Sequence, residues 1–459
     1  MDTTYLTPDQ LRTLFSSAMS DMYRNEVPQY QTLLDLVDEV NQGVLANNPA
    51  LKQALEQRGE LERLSLERHG AIRVGRADEL AMLRRLFAVM GMYPVGYYDL
   101  SSAGVPVHST AFRPVDEDAL QKNPFRIFTS LLRLELIQDQ ALREQASHIL
   151  QQRDIFTPAL KQLVALAEQQ GGLNADQGQA LVTEALETFR WHDTATVDAA
   201  TYQALLQQHR LIADVVCFRG PHINHLTPRT LDIDAVQQRM PDYGITPKAV
   251  IEGPPRQHCP VLLRQTSFKA LQEPVRFTDG TTGQHTARFG EIEQRGMALT
   301  PKGRALYDLL LNNALTQTAG MDQDNASYQQ QLGLAFEALP DQEDSLRTQK
   351  LAYFRYRLSD KGREAAPLSS LPILEQLIDD GLVLAEPIIY EDFLPVSAAG
   401  IFQSNLGDED KALQAGQANQ EVFEDALGTR VLDPFQRYSD LEQESLSRTL
   451  KQLLATRFA

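Results

Sequence analysis

Three short stretches gather the side chains best able to hold a metal ion: ERHGAIRVG (67–75), PHINHLTPRTLDID (221–234) and ARFGEIEQRG (287–296). They offer His69, His225 and Glu293. Two imidazoles and one carboxylate form the facial set that holds Fe(II) and leaves positions open for a substrate and O2. The first two stretches also resemble one another. Each reads His-x-x-x-Arg (His69 and Arg73; His225 and Arg229), then a helical run, then Gly-x-x-Pro (Gly91 to Pro94; Gly244 to Pro247). A repeat carrying candidate ligands in register says more than either histidine alone.

Period-2 alternation puts Phe289, Glu291, Glu293 and Arg295 on one strand face, so the third stretch offers two carboxylates that spacing does not separate. Either could equally be a solvated strand charge or a partner of Arg288 or Arg295. Glu135 is a weaker rival by the symmetry of the repeat. Arg73, four residues beyond His69, falls on the same strand face, where a guanidinium beside a metal would grip a carboxylate bidentately. An ion pair with one of the many acidic residues is the plain alternative; Arg229, followed by TLDID, is the weaker equivalent. The remaining histidines rank lower: His222 faces away from His225 on an extended chain, His108 is at most a supporting residue, His285 sits in a turn, and His148, His192 and His209 sit on helices. Cys217 and Cys259 read as structural thiols. Walker A, G-x-G-x-x-G, G-x-S-x-G and Cys-x-x-Cys motifs are all absent from the sequence.

The elements that must position these residues follow from pattern. Thr7-Pro8-Asp9-Gln10 is a capping box opening a helix with an apolar face of Leu11, Leu14, Phe15, Ala18, Met19 and Met22. A second helix carries Leu33, Leu36, Val37, Val40 and Val44. From 67 to 138 the order is β-α-β-β-β; 139–209 is a helical insertion; the β-α-β-β-β order returns over 210–296, with HRLIADVVCF and PKAVIEG read as strands. A helical region fills 297–459, with an apolar, small-residue-rich stretch at 387–407, and 318–327 and 404–416 read as loops. The expected fold is α+β: two β-α-β-β-β modules of the vicinal-oxygen-chelate kind around a central metal, preceded by helices over 1–66.

Composition narrows the class. The 459 residues carry 43 basic and 61 acidic side chains, a net charge of −18. That balance argues against nucleic acid or an anionic membrane surface as partner, and requires a locally basic site for an acidic substrate. With two cysteines there is no disulfide scaffold. The polar start, MDTTYLTPDQLRTLF, reads as no signal peptide, and 80–98, the most apolar run, is broken by Arg84 and Arg85; a cytoplasmic protein is expected.

The sequence also resembles a known family. LERHGAIRVG, MYPVGYYDLSSAGVPVHSTAFRP, FRIFTSLL, INHLTPRTLDID, RFGEIEQRG and YEDFLPVSAAGIFQSNLG, in this order, are similar to the bacterial 2-oxoadipate dioxygenase/decarboxylases, also called D-2-hydroxyglutarate synthases. The resemblance runs over nearly the whole chain. It implies Fe(II) held by His69, His225 and Glu293, and Arg73 gripping substrate with help from Val396 and Ser397. The implied reaction is 2-oxoadipate + O2 → D-2-hydroxyglutarate + CO2, in lysine catabolism. A 2-oxo acid chelates Fe(II) through its carboxylate and keto oxygen, which leaves one position for O2. Two alternatives remain: an O2-independent metal isomerase or lyase of the glyoxalase type, which would favour Glu291 or Glu135 as an added ligand, and a non-catalytic small-molecule binding protein.

Overall fold

The computed structural model describes residues 5–101, 104–268, 272–318, 325–366, 368, 370, 372–394 and 419–454. Its chain divides into two compact units. The first comprises residues 1–251, 265–294 and 395–432; the second comprises 252–264, 295–394 and 433–459.

The first unit opens with helices α1 (Pro8–Glu26), α2 (Pro28–Asn47), α3 (Pro49–Gln57) and α4 (Glu60–Leu66). The capping box forms, with the Thr7 side chain accepting from the Gln10 amide, and Leu11, Phe15 and Met19 are buried. Leu14, expected on that face, is an exposed exception. Helix α1 then tethers the later strands: the Tyr23 hydroxyl lies 2.8 Å from the Phe289 carbonyl and 3.1 Å from that of Asn224.

Next come β1 (Arg68–Val74), α5 (Ala77–Val89), β2 (Tyr93–Asp99), β3 (Val107–Arg113), a short α6 (Glu117–Lys122) and β4 (Arg126–Leu132). This is the expected β-α-β-β-β order. The sheet runs β2-β3-β4-β1, closed by parallel pairing of β1 with β4 (His69 opposite Arg126, Arg73 opposite Ser130). Helices α7 (Gln140–Gln151), α8 (Pro158–Gln170), α9 (Ala175–Phe189) and α10 (Ala199–Gln208) follow.

The second set of strands is less regular. HRLIADVVCF, expected as a strand, is helix α11 (Arg210–Val216), with the His209 side chain accepting from the Leu211 amide. Ile212 through Val216 are all buried, Asp214 included, and a short run buried on every side does not distinguish a buried strand from a buried helix. Then come β5 (Leu226–Pro228), α12 (Ile233–Arg239), β6 (Leu263–Ser267), the hairpin β7 (Glu273–Arg276) and β8 (Thr282–His285), and β9 (Glu291–Arg295). PKAVIEG is also not a strand: Pro247 bridges Phe268 and Glu252 is a further isolated bridge position. Pro247 has no N–H to donate, and Pro254 and Pro255 follow. The topology nevertheless repeats, because β6 pairs with β9 and Arg229, just past β5, bridges Glu293 in parallel, as β1 does with β4.

The two halves of the sheet join where β1 meets β5 antiparallel, His69 opposite Thr227 and Gly70 opposite Leu226. Gly70 suits this close approach: a Cβ would sit 2.5 Å from Ile223 Cδ1, so that side chain would have to shift, and 3.2 Å from the His225 carbonyl oxygen.

The second unit is built on an antiparallel pair, Phe354–Leu358 with Val383–Pro387. The C-terminal helix Pro434–Leu454 closes on it, Ser445 Oγ accepting from the Tyr356 amide at 3.1 Å. In the 387–407 stretch, Arg295 Nη1 donates to the Tyr390 and Asp392 carbonyls at 2.8 and 2.9 Å. Val396 and Ser397 lie outside the described residues, as do 319–324 and 404–416. Among the described residues no helix is long and apolar enough to cross a membrane.

Candidate functional site

His69 is fixed by β1, His225 by the turn into β5 that Tyr23 tethers, and Glu291 and Glu293 by β9. Their convergence follows from β1 lying against β5 and β5 against β9. The His69 and His225 rings stand 5.3 Å apart, nearly perpendicular at 88°. Glu291 Oε1 lies 3.0 Å from His69 Nε2 and 3.8 Å from His225 Nε2. Glu293 Oε2 lies on the other nitrogen of His69, 2.8 Å from Nδ1. The two carboxylates left open by spacing thus have different places: Glu291 between the two imidazoles, Glu293 behind one of them.

Two neighbours of Glu291 went unnoticed in the sequence. Thr227 Oγ1 donates to Oε1 at 3.1 Å and Gln265 Nε2 at 3.0 Å. Thr227, two residues after His225, was legible by alternation; Gln265 reaches the site through the β6–β9 pairing, which no local pattern announces.

The electrostatics ask for a cation. Burial alone would raise the Glu291 carboxyl, but His225 and His69 hold its pKa down to about 2. Burial drives His225 down to about 4, so its imidazole is neutral at neutral pH, with a lone pair free to ligate. Burial also opposes charge on His69, yet Glu293 and Glu291 outweigh it and raise its pKa. An ionised Glu291, a second carboxylate against His69 and a neutral His225 imidazole suit a divalent ion. The buried His225 Nδ1 has no hydrogen-bond partner among the described residues, so no protein acceptor there fixes the tautomer of this neutral ring. His69, His225 and Glu291 each present a ligand atom, all within 4.8 Å of one another. The donor set therefore fits a metal ion.

Arg73 shares the His69 face of β1, its side chain 21% exposed, and Nη1 donates to Asp214 at 2.9 Å. Asp214, unremarked in the sequence, resists protonation: burial opposes its charge, but His222, His285 and Arg73 hold its pKa well below the usual range.

The rivals have other places. Glu135 sits in a one-turn helix, exposed and paired with Arg133 at 2.7 Å. Arg229 is buried against Glu67 and Glu60 at 3.1 and 3.4 Å. Arg288 is held by Glu273 and Glu26. His108 pairs with Leu131 in register, on the sheet face opposite Ser109, Ser130 and Arg73, and touches the Tyr97 hydroxyl at 3.2 Å. His222 and His285, ranked as bystanders, are both buried against Asp214.

A family profile described as 2-oxoadipate dioxygenase/decarboxylase matches residues 15–405. The chain belongs to this family. A curated 2-oxoadipate dioxygenase/decarboxylase from Escherichia coli K12 is 61% identical over 446 residues, 96% of this chain and 98% of the relative. Its counterpart from Pseudomonas putida is 59% identical over 447 residues, 96% of each chain. Among solved structures, the hydroxyglutarate synthase of Pseudomonas putida in complex with 2-oxoadipate superposes with a TM-score of 0.91 at 56% identity. That match covers 98% of this chain and 99% of the other. The fold is therefore mixed α+β, as expected, and the chain is an enzyme of the 2-oxoadipate-acting family.

Proposed function

We propose that the protein is an Fe(II)-dependent dioxygenase that decarboxylates 2-oxoadipate, taking up O2 and releasing D-2-hydroxyglutarate and CO2, in lysine breakdown in the cytoplasm. The observation that carries this reading is the placement of His69, His225 and Glu291 around one point with ligand atoms within 4.8 Å, beside an arginine suited to a second carboxylate. His69 and His225 would hold the iron through Nε2. The geometry favours Glu291 as the carboxylate ligand in place of the Glu293 implied by resemblance. Glu293 Oε2 stands 2.8 Å from His69 Nδ1, behind that ring, where an Nδ1–H turned toward it would keep the Nε2 lone pair toward the metal. Bound iron would supply the Lewis-acid and redox chemistry that a 2-oxo acid and O2 need to react.

The chain's own residues do the rest. Thr227 and Gln265 donate to Glu291 and hold its carboxylate in one orientation. Arg73 takes the far carboxylate of the substrate, so chain length is read as the distance from the metal to the guanidinium. Val396 and Ser397 are proposed to line the same subsite.

The test is O2 uptake by anaerobically purified, Fe(II)-loaded protein given 2-oxoadipate, with products identified by mass. Uptake matched by CO2 and 2-hydroxyglutarate, and absent from the Zn-loaded form, supports the reading. Conversion of a 2-oxo acid without O2 would replace it with the isomerase or lyase alternative.

A further inference from the structure

A second buried polar cluster is built around Arg73. Asp214 on α11 is 6% exposed and both its oxygens are engaged. Oδ2 accepts from Arg73 Nη1 at 2.9 Å, while Oδ1 lies 2.9 Å from His285 Nε2 and 3.0 Å from His222 Nε2. The far nitrogen of His285 is 2.9 Å from the Tyr202 hydroxyl. Trp191 packs against both imidazoles, at ring centroid distances of 4.7 Å from His222 and 6.1 Å from His285. These side chains come from β1, α10, α11, β8 and the segments after α9 and before β5.

Asp214, His222 and His285 have the donor types of a metal site. Asp214 already carries a guanidinium, however, and a divalent ion there would set two cations against one buried carboxylate. A different role accounts for every contact. An arginine on an open strand face has many rotamers, and each must be frozen when a ligand binds. Pinning Nη1 to an immobile carboxylate settles that cost during folding and leaves Nη2 and Nε for a forked pair with an incoming carboxylate. His285, tied in turn to Tyr202, holds the anchor by a hydrogen bond, and His222 packs against it with Nε2 3.0 Å from Oδ1.

We propose that Asp214, fixed by His222 and His285, is a positioning residue that aims Arg73 at the far carboxylate and makes this cluster the determinant of selectivity for dicarboxylic 2-oxo acids. The proposal rests on the reading of Arg73 given under Proposed function.

The experiment is anaerobic calorimetry of Fe(II)-loaded protein with 2-oxoadipate and with 2-oxohexanoate, which has the same length and no far carboxylate. It compares the wild type with Arg73→Ala, Asp214→Ala, Asp214→Asn, His285→Ala and His285→Gln, with iron content measured for each. Asp214→Ala is expected to weaken 2-oxoadipate binding on the order of tenfold or more, leave 2-oxohexanoate binding within about twofold, and raise KM far more than it lowers kcat. Asp214→Asn, which keeps an acceptor for Arg73, should lose less. His285→Gln, which keeps an amide donor for Asp214, should recover what His285→Ala loses. Equal weakening of both acids would overturn the proposal, as would an unaffected Asp214→Ala protein when Arg73→Ala loses selectivity. If Arg73→Ala changes neither acid, the reading of Arg73 itself fails and takes the proposal with it. Loss of a second equivalent of iron on replacing Asp214 would make the cluster a metal site and also overturn it. Should Asp214→Ala not fold, Asp214→Asn and the His285 pair decide the question.

Discussion

Replacing Glu291 and Glu293 by glutamine, one at a time, separates a ligand from a carboxylate that acts through a ligand. The two side chains share one face of β9 and take different places around His69: Glu291 Oε1 is 3.0 Å from Nε2 and also faces His225, while Glu293 Oε2 is 2.8 Å from Nδ1. A cation held by the two Nε2 atoms would touch Glu291 at about 2 Å and lie about 6 Å from Glu293, across the imidazole ring. At an effective dielectric near 20, a divalent ion gains roughly 17 kcal/mol from the first carboxylate and about 6 kcal/mol from the second. Desolvation takes back most of both. If about a third survives, Glu291→Gln costs ~5 kcal/mol and Glu293→Gln ~2 kcal/mol, roughly 10⁴-fold and 30-fold in affinity. The smaller figure sits within the ~10–100-fold that loss of a partner behind a ligating histidine costs. The assay is Fe(II) affinity by anaerobic competition against a chelator, with circular dichroism to confirm that both variants fold. Loss of iron from Glu293→Gln while Glu291→Gln keeps it would refute this assignment, and so would an equal fall in both.

Three further outcomes are expected from the scaffold. Tyr23→Phe removes the hydroxyl that lies 2.8 Å from the Phe289 carbonyl and 3.1 Å from the Asn224 carbonyl, so denaturant titration should show a loss of about 1–2 kcal/mol with weaker iron binding, because it frees the segments leading to His225 and Glu291. Gly70→Ala puts a methyl 2.5 Å from Ile223 Cδ1; on the order of 2 kcal/mol of overpacking is expected, and iron affinity should fall as His225 is displaced, whereas an unaltered melting temperature would contradict the close approach of β1 and β5. His108 is driven down to about 4, first by burial and then by Arg133. Its folded pKa lies below its unfolded value, so the unfolded chain binds the proton first. Stability should therefore fall as pH drops from about 6.5 toward 4, by up to roughly 3 kcal/mol, and a His108→Gln protein should show a flatter stability profile over that window.

The sequence by itself determined the repeat, the strand bearing His69 and Arg73, the alternation that puts Glu291 and Glu293 on one face, and the capping box that starts α1. All of these are local: they depend on residue types a few positions apart and on the periods of helix and strand. The helical reading of 139–209 was legible for the same reason, as was the β-α-β-β-β order of 67–138. HRLIADVVCF was not, because a run buried on all sides carries no alternation to read, and the helix it forms brings Asp214 to Arg73. Nor could the sequence place Gln265 on Glu291, or His222 and His285 on Asp214, since those pairs are separated by 26, 8 and 71 positions and meet only when distant segments pack together. The choice between the two glutamates belongs to the same class. Spacing makes them equivalent, and only the antiparallel seating of β1 against β5, with β9 alongside, turns one toward both imidazoles and the other toward the back of His69.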